Sequence, residues 1–243
     1  MNDLVVFQQT DSNVRFEWGY EGVRALAPVS DIVVIIDVLS FTTCVDVILS
    51  REGIVFPYPS KGPSAQEYAK KVGAILAGKR GEPISLSPSS LSTMPFGSRI
   101  VLPSLNGATC SFLAKESKAT VVAACFRNAS SVACYAKQHG GVVTVIACGE
   151  RWPDGSLRPS FEDMIAAGAI LGHFEKECLS PEALSAVAAY ETMKHNIPES
   201  IGKVGSGKEL IAMGFKEDVR IASEFNVSQI VPILTQDGAF KPL

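Results

Sequence analysis

Ile32-Val33-Val34-Ile35-Ile36-Asp37-Val38-Leu39-Ser40-Phe41-Thr42-Thr43 decides the fold class of this chain. The first five residues are β-branched and apolar without alternation, the pattern of a central strand in a parallel sheet covered on both faces. The run closes on a carboxylate, then hydroxyls, then a stretch over 41–50 that reads as a helix. Residues 142–147 carry a similar run.

Working outward, short apolar runs at 4–8, 54–58, 99–103, 120–124 and 229–234 join 32–37 and 142–148 as expected strands. Helical patterns lie between them. Ser64 stands three residues before Glu67, a capping box for a helix to about residue 76. Ser160 precedes an apolar helix to about 175, and Ser180-Pro181 opens one reaching about 194. Further helices fit 108–117, 129–138 and 208–213. Such alternation specifies a layered α/β fold with right-handed crossovers.

The 243 residues are 47% hydrophobic and carry 22 Lys+Arg against 25 Asp+Glu. A net charge of −3 argues against a nucleic-acid partner held by overall charge, because such affinity comes from neutralising many phosphates. No apolar run approaches the ~20 residues of a membrane helix. Met1-Asn2-Asp3 lacks the basic-then-apolar build of a signal peptide, so a cytoplasmic protein without a membrane partner is expected. The six cysteines form no C-x-x-C pair and read as small buried hydrophobes. His139, His173 and His195 show no zinc-ligand spacing. Residues 78–99 and 149–159 are long and irregular, and such loops are functional or disordered. Without a repeat or linker, 1–243 reads as a single unit, with a division into two subdomains left open.

Asp37 falls where open α/β sheets bind ligands, beyond the carboxyl end of a strand. A carboxylate there, ahead of a helix N-terminus, suits Mg²⁺ or phosphate; it equally suits a helix cap. A haloacid-dehalogenase site would need a second Asp at position 39, which is Leu. Asn106-Gly107 follows the 99–103 strand and reads as an anion-binding nest or a plain turn. Glu162 and Asp163 open a helix, where acids complement the dipole or complete a metal shell, with Arg151 and Arg158 nearby in sequence. Cys148 ends a strand but lacks the C-x5-R loop of cysteine phosphatases, so it reads as core. Residues 202–208 nearly spell a P-loop, but Glu209 stands where Ser or Thr is needed and no strand precedes it. Ser206 and Glu209 read instead as a capping box.

In their joint order, Asp37-Val38-Leu39-Ser40-Phe41-Thr42-Thr43, the 78–91 loop, Leu105-Asn106-Gly107-Ala108-Thr109, Arg127-Asn128-Ala129, Cys148-Gly149-Glu150 and the Phe161-Glu162-Asp163…Ala167-Gly168 helix start resemble the 2-phosphosulfolactate phosphatase family. That family's pattern contains D-V-L-R-A-T-T, G-E-R…N-S-P, T-N-G-T and S-x-E-D…A-G. The tail from Gly205 to Pro232 is similar too, so the likeness covers nearly the whole chain. The chain departs from the pattern at Ser40 and Phe41 (for Arg-Ala), Lys79 (for Glu) and Leu86 (for Asn).

The resemblance implies a three-layer α/β/α fold with a mostly parallel or mixed central sheet. It also implies Mg²⁺-dependent hydrolysis of 2-phospho-3-sulfolactate, which in some organisms belongs to coenzyme M synthesis. Asp37, Asn106, Gly107, Glu162 and Asp163 carry over as site candidates. On that reading Asp37 with Glu162, Asp163 or both holds Mg²⁺. Asn106-Gly107 and the helix start at Thr42-Thr43 donate N–H groups to the phosphate of a small phosphorylated acid. Arg80, Arg151 or Arg158 neutralises its other anionic group, and a homo-oligomer is allowed. The departures leave a rival reading, a non-catalytic phosphoanion-binding or scaffold protein on the same fold.

Overall fold

The computed structural model describes residues 5–243. Its centre is a nine-stranded sheet in the order β1-β7-β2-β6-β10-β11-β3-β5-β4. These strands are β1 (Val14–Trp18), β2 (Ile32–Ile36), β3 (Ile54–Tyr58), β4 (Ile75–Leu76), β5 (Arg99–Pro103), β6 (Thr120–Ala124), β7 (Val143–Ala147), β10 (Pro232–Leu234) and β11 (Phe240–Pro242). All neighbours pair in parallel except at the C-terminal hairpin β10–β11, which runs antiparallel between β6 and β3. A separate two-stranded hairpin, β8 (Glu150–Arg151) and β9 (Leu157–Arg158), lies just beyond β7.

Three layers follow from the alternation of side chains along β2, which is buried throughout. Ile32, Val34 and Ile36 pack into one core with α6 (Ala129–His139), α7 (Phe161–Leu171) and α8 (Pro181–Met193). The same core takes in α9 (Ile197–Lys203), α10 (Gly205–Ala212) and one side of α11 (Lys216–Ala222). Val33 and Ile35 face the other core, built with α1 (Gly19–Leu26), α2 (Phe41–Leu49), α4 (Pro88–Leu91) and α5 (Gly107–Lys115). A smaller cluster of Phe56, Ala69, Val101 and Ala239 lies under α3 (Pro63–Val72). A strand with both faces covered must be apolar at every position, which is why β2 does not alternate.

Position by position, 54–58, 99–103 and 120–124 form strands with the expected bounds, while 229–234 narrows to 232–234. The expected strand at 4–8 does not form over its described part. Leu4 lies outside the described residues, and Val5–Phe7 is an exposed 3-10 turn. The edge strand is instead Val14–Trp18, whose Val14 and Phe16 enter the core while Arg15 and Glu17 alternate with them. Helix α3 stops at Val72 because Gly73 adopts φ 61°, the left-handed conformation that closes helices. Ser64 lies inside that helix rather than at its cap, so the Ser64–Glu67 box is not made. Likewise Ser206 lies within α10, and its hydroxyl accepts a hydrogen bond from Arg158 at 2.8 Å instead of capping. Ser180 does cap α8, accepting from the Ala183 N–H at 3.1 Å.

α7 and α8 pack closely at Gly168, where any Cβ would overlap the Ala186 carbonyl oxygen. Gly168→Ala is therefore expected to cost about 2 kcal/mol through overpacking, read as a lowered urea midpoint with an unchanged slope.

The sheet is strongly curled. Flat, the five strand steps from β2 to β5 at 4.7–4.9 Å would separate them by roughly 24 Å. The four residues after β5 can span at most about 14 Å, yet the Gly107 N–H reaches Asp37 Oδ2 at 2.9 Å. Sheet twist, with the antiparallel β10–β11 insertion between the two parallel halves, brings the carboxyl ends of β2 and β5 together.

Candidate active site

Asp37 follows β2 directly and is 7% exposed. Its Oδ1 accepts from the Phe41 N–H at 3.2 Å. Its Oδ2 accepts from the Gly107 N–H at 2.9 Å and the Ser104 hydroxyl at 3.3 Å. A Cβ at Gly107 would stand 2.7 Å from that Oδ2 and overlap the Phe41 ring, so glycine is required by close approach.

Asp163, in the first turn of α7, clamps two strand ends. Its Oδ1 accepts from the Val38 N–H at 2.8 Å and its Oδ2 from the Gly149 N–H at 2.9 Å. Glu162 is 2% exposed and its carboxylate accepts no hydrogen bond from the described residues. Glu150 joins them from the β8 hairpin, its Oε2 accepting from Asn106 Nδ2 at 3.2 Å. Four acids thus gather at the carboxyl ends of β2, β5 and β7, and among the described residues none forms an ion pair.

The crowding shows in their ionisation. Burial, followed by the nearby Asp37 and Glu162 charges, pushes Glu150 up to about 7 against the opposing pull of Arg158 and Asn106. Burial raises Asp37 above the ordinary carboxylate range, its backbone donors opposing this and Glu162 adding to it. Asp163 lies well above that range through burial and then through Glu162 and Asp37. Three buried side-chain atoms in the same segments also lack partners among the described residues: Asn106 Oδ1, Arg151 Nη2 and Ser160 Oγ.

Several expected roles change. Thr42 is 1% exposed; its N–H and hydroxyl both donate to the Asp37 carbonyl at 2.8 Å. The Thr43 hydroxyl donates to the Val38 carbonyl at 2.8 Å. The Thr42 N–H expected at a phosphate is thus taken by the Asp37 carbonyl, and both hydroxyls help close the 37–43 loop. The Asn106 and Gly107 N–H groups are also engaged, with Ser104 Oγ and with Asp37, so the expected nest is turned inward. A buried carboxylate must collect such donors. Among the described residues no group of three His, Cys, Asp or Glu side chains is arranged to hold a metal ion; of the expected shells, Asp37 with one of Glu162 and Asp163 agrees with that. Asp163, with its two oxygens on amides from two different strand ends, also holds those ends together.

The arginines divide by location. Arg80 pairs with Asp218, crosses the Phe215 ring and donates to Ser40 Oγ at 3.1 Å, at the lip of the Asp37 loop. Asp218, fully buried, also accepts from the Ser87 hydroxyl at 2.7 Å and the Ser89 N–H at 3.0 Å, fastening the irregular 78–99 segment. Arg158 lies opposite Glu150 in the hairpin, on the same face. Arg151 turns away to lie 3.9 Å from the Tyr20 ring and donates to the Gly155 carbonyl. Cys148 is fully buried, and burial holds its thiol well above the usual range, as suits a core residue.

Sequence reasoning missed Glu150, Ser104 and Asp218 as site residues. Glu150 follows β7 much as Asp37 follows β2, so the strand-end rule pointed to both. Ser104 and Asp218 act through contacts 67 and 131 residues away in sequence, with no local signal.

The ordered motifs that form these strand-end segments and the 78–92 loop resemble one family, and comparison with known proteins supports that family. The 2-phosphosulpholactate phosphatase family model matches residues 21–237. A Nostoc protein named "Probable 2-phosphosulfolactate phosphatase" is 29% identical, over 88% of this chain and 92% of its own length. A Carboxydothermus hydrogenoformans protein of the same name is 31% identical, over 82% of this chain and 84% of its own. The Methanothermobacter thermautotrophicus "2-phosphosulfolactate phosphatase" is 25% identical over 86% and 88%. Matched by the family model from the first helix into the closing hairpin, this chain belongs to the 2-phosphosulpholactate phosphatase family.

Proposed function

We propose that the chain is a Mg²⁺-dependent phosphoric monoester hydrolase that cleaves 2-phospho-3-sulfolactate to 3-sulfolactate and phosphate. The observation that carries this reading is the group of four unpaired acids at the strand ends, with Glu150 raised to about 7. Burying several like charges without a cation is unfavourable, and a hard divalent ion is the partner that an all-oxygen donor set favours.

Mg²⁺ is commonly held by one or two carboxylates together with waters and substrate phosphate. Asp37 and Glu162 would supply the carboxylates, and the lack of a three-acid shell is no obstacle. When bound, the ion would neutralise charge on the phosphoryl oxygens.

The remaining work falls to the chain. Ser104 and the Phe41 and Gly107 amides fix the Asp37 carboxylate. Asp163 keeps the β2 and β7 ends in register with α7. Glu150, raised to about 7 in the metal-free chain, would be charged beside a bound cation and so able to take a proton from attacking water. Asn106 aligns it through Oε2. Arg158 lies opposite Glu150 on the hairpin, and Arg80, its charge paired with Asp218, donates to Ser40.

The test is phosphate release from 2-phospho-3-sulfolactate by the purified protein. Turnover should fall at least tenfold on chelation, by about the scale seen when metal binding is weakened, and return with Mg²⁺. Binding of the phosphoester without release, at any metal concentration, would favour the non-catalytic reading.

A further inference from the structure

A second cleft, of about 490 Å³, opens at the carboxyl ends of β3, β4 and β5. Its lining includes Lys61, Gln66, Gly78, Lys79, Glu82 and Pro103. Among the described residues neither lysine has an acidic partner within ion-pair distance. Glu82 is folded onto its own loop, where its Oε1 accepts the Lys79 backbone N–H at 3.0 Å. Two exposed lysines without ion-pair partners thus line the cleft beside one acid, which is folded onto its own backbone.

Two chain segments run from this cleft to the acid cluster. Pro103 lines it, and the next residue, Ser104, holds Asp37 at 3.3 Å. Lys79 lines it, and the next residue, Arg80, reaches Ser40 at 3.1 Å. A phosphoester with its phosphate at Asp37 thus has a cationic recess beside it. An ammonium on a flexible stem suits a sulfonate or carboxylate that needs charge more than a fixed bidentate fork.

We propose that Lys61 and Lys79 bind the anionic group that the substrate carries away from its phosphate, and so set which phosphoesters this chain accepts. The assignment rests on the phosphatase reading for its kinetic test, but not for its binding test.

Three phosphoesters separate the chemistry: phosphoglycolate with a carboxylate tail, 2-phosphooxyethanesulfonate with a sulfonate tail, and phenyl phosphate with neither. In Lys61→Ala and Lys79→Ala the ratio of kcat/KM for a charged-tail substrate to that for phenyl phosphate should fall about tenfold, the worth of one charged hydrogen bond. Lys79→Glu should lower it further. The tail showing the larger drop identifies the group bound. An unchanged ratio, or equal losses on all three substrates, overturns the assignment.

Calorimetric titration with sulfoacetate needs no turnover. The wild type should bind it, and the Lys61→Ala/Lys79→Ala variant should bind about tenfold more weakly. Wild-type protein that does not bind sulfoacetate, or a double variant that binds equally well, also overturns the proposal. If that binding is lost on substitution while no phosphoester is hydrolysed, the cleft stands and the phosphatase reading falls.

Discussion

Asp37→Asn is expected to lower kcat for phosphoester hydrolysis on the order of 10³-fold, the scale lost when a preorganised charge at the reacting centre is removed. The substitution keeps the side chain's size but halves its acceptors. Both Asp37 oxygens face N–H donors, Phe41 on one side and Gly107 on the other. An amide nitrogen must therefore oppose one of them, at a cost of about 1–3 kcal/mol. Relief of repulsion from Glu162 offsets part of that, so the variant should stay folded with a modestly lowered melting temperature. Its apparent Mg²⁺ affinity should also weaken, since the neutral amide no longer attracts the ion as a charge. Asp163→Asn provides the contrast. That carboxylate joins Val38 to Gly149, so its loss should lower stability and activity together. A folded Asp37→Asn protein with kcat within threefold of wild type would remove Asp37 from the chemistry.

The central layer of this fold was legible because burial on both faces leaves one reading for Ile32–Ile36, with a carboxylate at its end. The helices were legible where a cap is chemically explicit, as at Ser180-Pro181. Elsewhere local signals misled. Val5, Val6 and Phe7 look strand-like but are 49–82% exposed. The true edge strand, 14–18, hides its pattern by alternating Arg15 and Glu17 with core residues. The curl that brings Gly107 to Asp37 depends on a hairpin of three-residue strands near the C-terminus. No segment near Asp37 encodes it.

The site shows the same division. Asp37, Glu162 and Asp163 were readable as strand-end and helix-start acids, and they do share one cluster. Which of their oxygens are free was not readable. That depends on amides at Val38, Gly107 and Gly149 supplied by three different loops. That the Thr42 N–H is taken by the Asp37 carbonyl was unreadable for the same reason: it is set by the tight closure of the loop.

Glu150→Gln is expected to make the metal-free protein more stable at pH 8 while slowing turnover. The Glu150 carboxyl titrates near 7 in the folded chain against an ordinary value of 4.5. Between those values the folded state holds a proton that the unfolded state has released. Stability is thus fully present below about pH 4.5 and declines as pH rises through about 7. A difference of that size corresponds to about 3 kcal/mol. Asp37 and Asp163, also raised, shift stability in the same direction. Glutamine cannot ionise, and its carbonyl still accepts from Asn106, so the variant should shed Glu150's share of the decline. Urea unfolding of both proteins in chelator at pH 5 and pH 8 measures this directly. The curves should differ by about 1 kcal/mol at the lower pH and by about 3 kcal/mol at the higher. Parallel pH profiles would show that Glu150 is not held in an anionic, desolvated cluster. In Mg²⁺ the gap should narrow, because an ion among these carboxylates favours their charged forms in the folded state alone. A residue whose removal steadies the fold and slows the reaction is maintained for the reaction, which is the trade expected where like charges are crowded for use.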